Sequence, residues 1–154
     1  MELRDRIIVK AGDLFIQYGI KNSSMDEIAT SLGISKRTIY EIFKDKEDLL
    51  ISFLQNTWDK RNAQFETYLT GDYDIISVFL KVIEAQQNMP LTNVKFFEDI
   101  HKYYPQAAKL IKEDVAKNNI FLCEFLRKGI SQGYIRSDLN VEVTAFLVED
   151  GTYT

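Results

Sequence analysis

The chain has 154 residues, of which 45% are hydrophobic and 27% are charged, with a net charge of −4. This is the composition of an ordinary globular protein that can form a core, and it excludes a largely disordered chain. A single cysteine excludes an intrachain disulfide. The N-terminus lacks the apolar run of a signal peptide, and no stretch reaches the roughly 18 consecutive apolar residues of a membrane-spanning helix. We therefore expect a cytoplasmic protein without a membrane partner.

Helical periodicity begins at the N-terminus. The first predicted helix carries apolar residues at three- and four-residue steps, and Gly19 follows it at a position where a left-handed C-cap is usual. These apolar residues are Leu3, Ile7, Ala11, Leu14, Phe15 and Tyr18. Ser24, with Glu27 three positions later, predicts a capping box at the start of a second helix. Gly33 interrupts this helix, and Ser35 is a suitable N-cap for a short third helix.

The remainder of the chain also has the spacing of helices, so the predicted fold class is all-α. Asp45 can cap a longer fourth helix, and residues 70–72 separate it from a fifth. Pro90 begins or precedes a sixth helix, and Pro105 starts a long seventh one. Asn140 is the predicted cap of an eighth helix that begins at Val141.

Residues 24–46 have the pattern of a helix-turn-helix, in which a short helix, a turn with glycine and a second short helix follow one another. The second helix of such a motif can lie in the major groove of DNA, with its N-terminal residues toward the base edges. Between positions 34 and 46 four basic side chains outnumber two acidic ones, Glu41 and Asp45, although the whole chain is acidic. The basic residues between positions 34 and 46 are Lys36, Arg37, Lys44 and Lys46. A basic end on an acidic body is compatible with DNA binding.

Three stretches together resemble the TetR family of bacterial transcriptional regulators. Residues 11–19 (AGDLFIQYG) resemble the first-helix signature of this family, and residues 24–35 look like its second helix and turn. Residues 38–50 are similar to its recognition helix and the start of its fourth helix. The resemblance covers about the first third of the chain without gaps. Gly12 departs from the small helix-forming residue that is usual at its position.

The resemblance implies a ligand-responsive regulator, most often a repressor, that binds a palindromic operator in double-stranded DNA as a homodimer. It implies an N-terminal three-helix domain over residues 1–46, joined through the fourth helix to a larger helical ligand-binding and dimerisation domain over residues 47–154. The implied DNA contacts are Ser24, Ser35, Lys36, Arg37, Thr38, Tyr40, Lys44 and Lys46. The alternative for each is a solvated helix face, and for Ser24 a further alternative is a capping role without DNA contact.

The C-terminal two-thirds of the chain is rich in aromatic residues. In the family these would line a pocket between the fifth, sixth and seventh helices, and the effector would be apolar or aromatic. The expected ligand-binding residues are Trp58, Phe79, Ile83, Phe97, His101, Tyr104, Asn118, Phe121 and Phe125. The alternative is that aromatic residues at helical spacing simply form the core.

No catalytic motif, cofactor site or metal site is predicted, and we expect no enzyme. Glu98 and His101 have a spacing found in di-iron bundles, but those sites need two such pairs and this chain has one histidine. Cys123 is expected to be a small buried apolar residue rather than a reactive thiol. The competing function is a helical ligand-binding adaptor that has lost DNA binding. A basic third helix argues against that function.

The family usually dimerises through its last two long helices, and this sequence reaches only the beginning of the eighth. Either the chain is C-terminally truncated, which we expect, or this member lacks the usual dimer element. In a truncated chain Phe146 and Leu147 lose packing partners and the dimer is weakened. Because two recognition helices must lie about one DNA turn apart, this expectation concerns DNA binding as well as stability.

Overall fold

The computed structural model describes residues 1–87 and 94–145, whose regular elements are all helices, without a strand. The helices are α1 (Leu3–Tyr18), α2 (Met25–Leu32), α3 (Lys36–Ile42), α4 (Lys46–Thr70), α5 (Ile75–Gln87), α6 (Val94–Tyr103) and α7 (Pro105–Ser131). A further helix begins at Val141 and is described to residue 145. The all-α prediction is confirmed. Pro90, Phe146 and Leu147 lie outside the described residues.

Two compact units divide the chain. The first comprises Met1–Asp59 and Met89–Leu110, and the second comprises Lys60–Asn88 and Ile111–Thr154. The first unit therefore contains the helix-turn-helix together with α6. This division follows packing alone, and the functional boundary between residues 46 and 47 remains a prediction.

The helix starts follow from local side-chain caps. The Asp45 carboxylate accepts the Asp48 N–H at 2.8 Å and opens α4. Asn140 accepts the Val143 N–H at 3.0 Å in the same way. Pro105 is the first residue of α7, as predicted, because its ring presets the helical φ and its missing N–H would be unpaired at that position.

The core of the first unit is formed by apolar side chains of α1 to α4 and α6. Fully buried members include Ile7, Phe15, Ile28, Ile39, Phe43, Leu49, Leu50, Phe96 and Ile100. Gly12 is also buried, and the ring of Phe53 occupies the space where a side chain would stand. An ideal Cβ at Gly12 would lie 2.2 Å from Phe53 Cε2. Glycine at this position thus allows α4 to approach α1 closely.

The core of the second unit contains α5, α7 and the helix that begins at Val141. Ile75 and Val78 are buried on one face of α5, and the Ile75 N–H donates to the Gln132 side chain at 2.7 Å. Cys123 is buried in a cluster with Val141 and Ala145, which confirms its predicted role as a small buried residue. None of the described helices is long and apolar enough to cross a membrane.

The structure corrects two details at the end of α1. Tyr18 was expected on the apolar face, but 54% of its surface is exposed because the helix ends there. Gly19 has a positive φ of 89°, but its ψ of 152° lies outside the left-handed helical region. The left-handed C-cap occurs instead at Gly33, with φ 69° and ψ 30°.

Candidate DNA-binding site

The second helix of the motif is fixed at its start by a complete capping box. The Ser24 hydroxyl accepts the Glu27 N–H at 3.1 Å, and the Glu27 carboxylate accepts the Ser24 N–H at 3.2 Å. This arrangement satisfies two backbone N–H groups that a helix start would otherwise leave unpaired. The predicted capping box is confirmed, and the Ser24 side chain is thereby engaged within the protein.

The turn between α2 and α3 closes around Gly33. Its left-handed conformation lets the Ile34 N–H donate to the Ala29 carbonyl at 3.1 Å, the bond that defines a Schellman motif. A Cβ at Gly33 would meet no atom within 4 Å, so backbone conformation rather than space favours glycine there. The turn therefore sets the direction in which α3 leaves α2.

Helix α3 is anchored by its apolar residues and presents its polar ones to solvent. Ile39 has no exposed surface, and Phe43, which follows the helix, is 1% exposed. The Arg4 guanidinium lies 5.5 Å from the centre of the Phe43 ring, a cation–π contact that supports this anchor. Lys36, Arg37 and Tyr40 are exposed on the helix.

Two surface ion pairs hold the basic residues of α3 only weakly. Lys36 Nζ lies 3.4 Å from an Asp26 carboxylate oxygen, and Arg37 Nε lies 3.3 Å from Glu41. The side chains of these pairs are 47% to 88% exposed. Exposed ion pairs contribute at most about 1 kcal/mol, so a phosphate or base edge can replace these partners at small cost.

Ser35 and Thr38 form the start of α3. The Ser35 hydroxyl accepts the Thr38 N–H at 3.1 Å, and the two hydroxyl oxygens lie 2.8 Å apart. The predicted N-cap is confirmed. Both residues combine a structural role with a place at the N-terminal turn, where free N–H groups favour an anion.

The two lysines that follow α3 differ in their surroundings. Lys44 is exposed, and its backbone N–H donates to the Asp48 carboxylate at 2.9 Å. Lys46 is partly buried, and desolvation lowers the pKa of its ammonium, while Asp99 and Glu27 oppose that shift. Lys46 therefore lies within the electrostatic influence of α2 and α6 as well as at the start of α4.

Seven of the eight predicted DNA-contacting residues lie along one segment, residues 35–46. Ser35, Lys36, Arg37, Thr38 and Tyr40 belong to α3 or its N-cap. Lys44 and Lys46 follow immediately, whereas Ser24 stands at the start of α2. The sequence analysis did not identify Asp99, a buried acidic residue of the same unit. Its only signal in the sequence is its position between the apolar residues Phe97 and Ile100.

The predicted ligand-binding residues are divided between the two units. In the first unit, Trp58, Phe97 and Tyr104 are partly buried and His101 is exposed. Burial raises the pKa of the Tyr104 phenol, with Asp99 and Glu47 adding to the shift. Glu98 is also exposed, and the described residues contain no cluster of three potential metal ligands.

The ligand-binding residues of the second unit lie on α5 and α7. Phe79 is 51% exposed and Ile83 is 36% exposed, whereas Asn118, Phe121 and Phe125 are partly buried. The Phe121 ring stacks on Phe65 of α4 at 4.4 Å between centroids and lies 6.5 Å from the Phe125 ring. Asn118 and Phe121 line a groove of about 270 Å³ between α4 and α7.

A buried ion pair joins α4 and α7 within the second unit. Two guanidinium nitrogens of Arg61 donate to the two carboxylate oxygens of Asp114, at 3.0 and 2.7 Å. The side chains are 12% and 10% exposed. The remaining Arg61 contacts go to the Asn62 side chain, so the guanidinium is well satisfied.

A capped helix-turn-helix with an exposed basic third helix, followed by a helical body, defines a helix-turn-helix transcriptional regulator. The family described as "Bacterial regulatory proteins, tetR family" matches residues 7–53. The HTH-type transcriptional regulator UidR of Escherichia coli (strain K12) is 28% identical over 154 residues, which cover 97% of this chain and 78% of that protein. Over these residues the chain is similar to the TetR family of bacterial transcriptional regulators.

Solved structures of transcriptional regulators are also similar to this chain. PfmR, a TetR family transcriptional regulator from Thermus thermophilus, has a TM-score of 0.73 and 26% identity, with 94% of this chain and 80% of that chain covered. A transcriptional regulator from Saccharomonospora viridis in complex with choline has a TM-score of 0.78 and 22% identity, with coverage of 96% and 81%. At this identity the second likeness concerns the fold alone.

Proposed function

We propose that this regulator is a repressor that binds a palindromic operator as a homodimer, and that a small molecule bound by its C-terminal part changes its affinity for DNA. The observation that carries the DNA-binding part is the exposed basic face of α3, held by Ile39 and Phe43. Residues 1–46 are proposed to contact DNA, and residues 47–154 to hold the effector and the dimer contacts.

Within this proposal the basic residues have different roles. Arg37 is 88% exposed in its side chain and lies at the start of α3, where it can reach a base edge or a phosphate. Lys46 is proposed to contact a phosphate of the flanking backbone. Phosphate contacts strengthen binding to every sequence, whereas base contacts distinguish one sequence from another.

The test is selection of bound sequences from random duplex DNA, followed by affinity measurements over a range of salt concentrations. Recovery of a palindrome with a steep salt dependence is the expected result. Lys46→Ala is expected to weaken binding to all sequences and to reduce the slope of log K against log salt by about 1. Arg37→Ala is expected to relax sequence preference if it reads a base.

Lys112→Ala is the matched control, because Lys112 is an exposed lysine of α7 in the second unit. It is expected to leave both the sequence preference and the salt slope unchanged. If Arg37→Ala and Lys46→Ala also leave DNA affinity unchanged, the assigned contacts are wrong. Absence of DNA binding by the wild-type chain at low salt would favour a helical adaptor.

The proposed effector is mainly apolar or aromatic. This part is supported by the stacked rings of Phe65 and Phe121 beside the groove between α4 and α7. A thermal-shift screen is designed with neutral aromatic compounds in one set and charged compounds in another, including choline because the Saccharomonospora viridis regulator binds it. Hits confined to highly charged compounds would contradict an apolar effector.

A further inference from the structure

Asp99 is a buried carboxylate that is not itself one of the proposed DNA contacts, although its charge acts on Lys46. It is 9% exposed on α6, whereas its neighbours Glu98 and His101 are exposed. Burying a carboxylate is costly unless charges or hydrogen-bond donors compensate for the lost water. The groups that surround Asp99 therefore indicate what it stabilises.

One hydrogen-bond donor to Asp99 comes from the turn between α1 and α2. The Lys21 N–H donates to Asp99 Oδ2 over 3.4 Å, a long bond whose acceptor carries a charge. The same oxygen lies 3.1 Å from the place where a Cβ at Gly19 would stand. Gly19 has a φ of 89°, which also disfavours a side chain. The turn is thus shaped to receive this carboxylate.

The turn leads directly into the helix-turn-helix. Ser23 has no exposed surface, and its hydroxyl donates to the carbonyl oxygens of Gly19 at 2.9 Å and Leu14 at 3.1 Å. The next residue is Ser24, the cap of α2. A change in the backbone at Lys21 would therefore reach the start of α2 within a few residues.

Two further contacts place α6 against the same part of the unit. The Phe96 ring meets Phe53 of α4 edge-on, with 6.3 Å between centroids. The Lys21 ammonium lies 4.1 Å from the centre of the Tyr103 ring, a cation–π contact. Lys21 is thus held by α6 through both its backbone and its side chain.

From this geometry we propose that Asp99 is a positioning residue for DNA binding, whose carboxylate fixes the turn between α1 and α2 and thereby the orientation of α2 and α3. The inference rests on the proposed function, because orientation matters only if α3 enters the major groove. Asp99 touches no DNA in this proposal. It acts through the Lys21 N–H and the capped start of α2.

The experiment compares Asp99→Ala, which removes the acceptor, with Asp99→Asn, which keeps a neutral acceptor of nearly the same shape. Glu98→Ala is the matched control, since Glu98 is an exposed acid on the same helix. The DNA probes are a duplex carrying the selected operator and a random-sequence duplex of equal length. Amide hydrogen exchange at Lys21 reports the turn itself, and exchange of core amides reports global stability.

We expect Asp99→Ala to weaken operator binding by up to about tenfold, the limit reached if the whole stabilisation from this hydrogen bond serves to orient α2 and α3. Binding to the random duplex is expected to change less. Asp99→Asn should give an intermediate loss, and Lys21 exchange should accelerate in the same order while core amides keep their protection. A general structural role would instead change all amides together. If Asp99→Ala does not fold, the parallel changes in Asp99→Asn provide the same test.

Unchanged Lys21 exchange in these variants would overturn the inference, and so would faster exchange with unchanged operator affinity. If the wild-type chain binds no DNA, the proposed function is contradicted. The hydrogen bond between Lys21 and Asp99 can still be tested in that case by amide exchange at Lys21. If the wild-type chain binds the operator and both Asp99 variants bind it with the same affinity, the inference about Asp99 is contradicted while the proposed function stands.

Discussion

Replacing Gly12 by alanine tests how closely α1 and α4 must approach. The new Cβ would lie 2.2 Å from Phe53 Cε2, where real Cβ contacts are essentially never shorter than 3.0 Å. The ring of Phe53 cannot swing away without losing its edge-on contact with Phe96 at 6.3 Å. We therefore expect an overpacked core, although alanine is the better helix former.

The magnitude follows from two opposing effects. Alanine in place of glycine inside a helix stabilises by about 1 kcal/mol. Forcing an extra carbon into a packed core costs about 1–3 kcal/mol. The overlap at Gly12 is severe, so we expect a net loss of about 1–2 kcal/mol in the free energy of unfolding. For a chain of this length that corresponds to a decrease in Tm of about 2–8 °C.

The assay is a double-mutant cycle in urea, with Gly12→Ala, Phe53→Leu and the combination followed by circular dichroism. Leucine at position 53 makes room for the new Cβ, so the same alanine should stabilise the Phe53→Leu background by up to about 1 kcal/mol. Gln17→Ala, at an exposed position of α1, is the control for helix propensity alone. An equal effect of Gly12→Ala in both backgrounds would refute the steric argument.

Three other changes have defined outcomes. Ser24→Ala removes the capping-box acceptor and should lower the free energy of unfolding by about 1 kcal/mol in urea titrations. An unchanged midpoint of urea unfolding would contradict this prediction. Asp114→Ala leaves Arg61 buried without its carboxylate partner and should lower the free energy of unfolding by about 3–5 kcal/mol, measured by thermal unfolding. Replacing both Arg61 and Asp114 by apolar residues should restore most of this loss. The pKa of the Asp74 carboxyl is lowered, first of all because the Ser77 N–H donates a hydrogen bond to it. Asp74 therefore stabilises the fold above the ordinary aspartate pKa of about 3.9. This stabilisation is lost as the pH falls through the pKa of Asp74 in the folded protein. The Tm difference between wild type and Asp74→Ala should therefore shrink in acid, and a constant difference would contradict this cause.

Most of the helix starts could be predicted because a cap and its target lie within one turn of each other. Ser24, Ser35, Asp45 and Asn140 each cap a helix as the sequence predicted. The break at Gly33 was likewise predicted, and this residue takes the left-handed conformation in which helices very commonly end. Local chemistry thus defined the starts of α2 and α3 and the turn between them.

The rest depends on residues that are far apart in the sequence. Gly12 counted only as a weak helix former until the ring of Phe53 was seen to fill its space. The Asp99 carboxylate and the Lys21 N–H are 78 positions apart, and no periodicity relates them. Helix α5 is apolar on both faces, so its sequence could not reveal that Phe79 is exposed while Val78 is buried. Which residues bind DNA or an effector stays a prediction.

Because so few residues of α3 are buried, the DNA sequence preference of such a regulator can change during evolution. Only Ile39 within Lys36–Ile42 is buried, and Phe43 completes the attachment. Substitutions at exposed sites that lack special features usually change stability by no more than about 0.5 kcal/mol. Positions such as Lys36, Arg37 and Tyr40 can therefore vary with little effect on folding. Gene duplicates of a protein built this way could acquire new operators one substitution at a time while every intermediate remains folded.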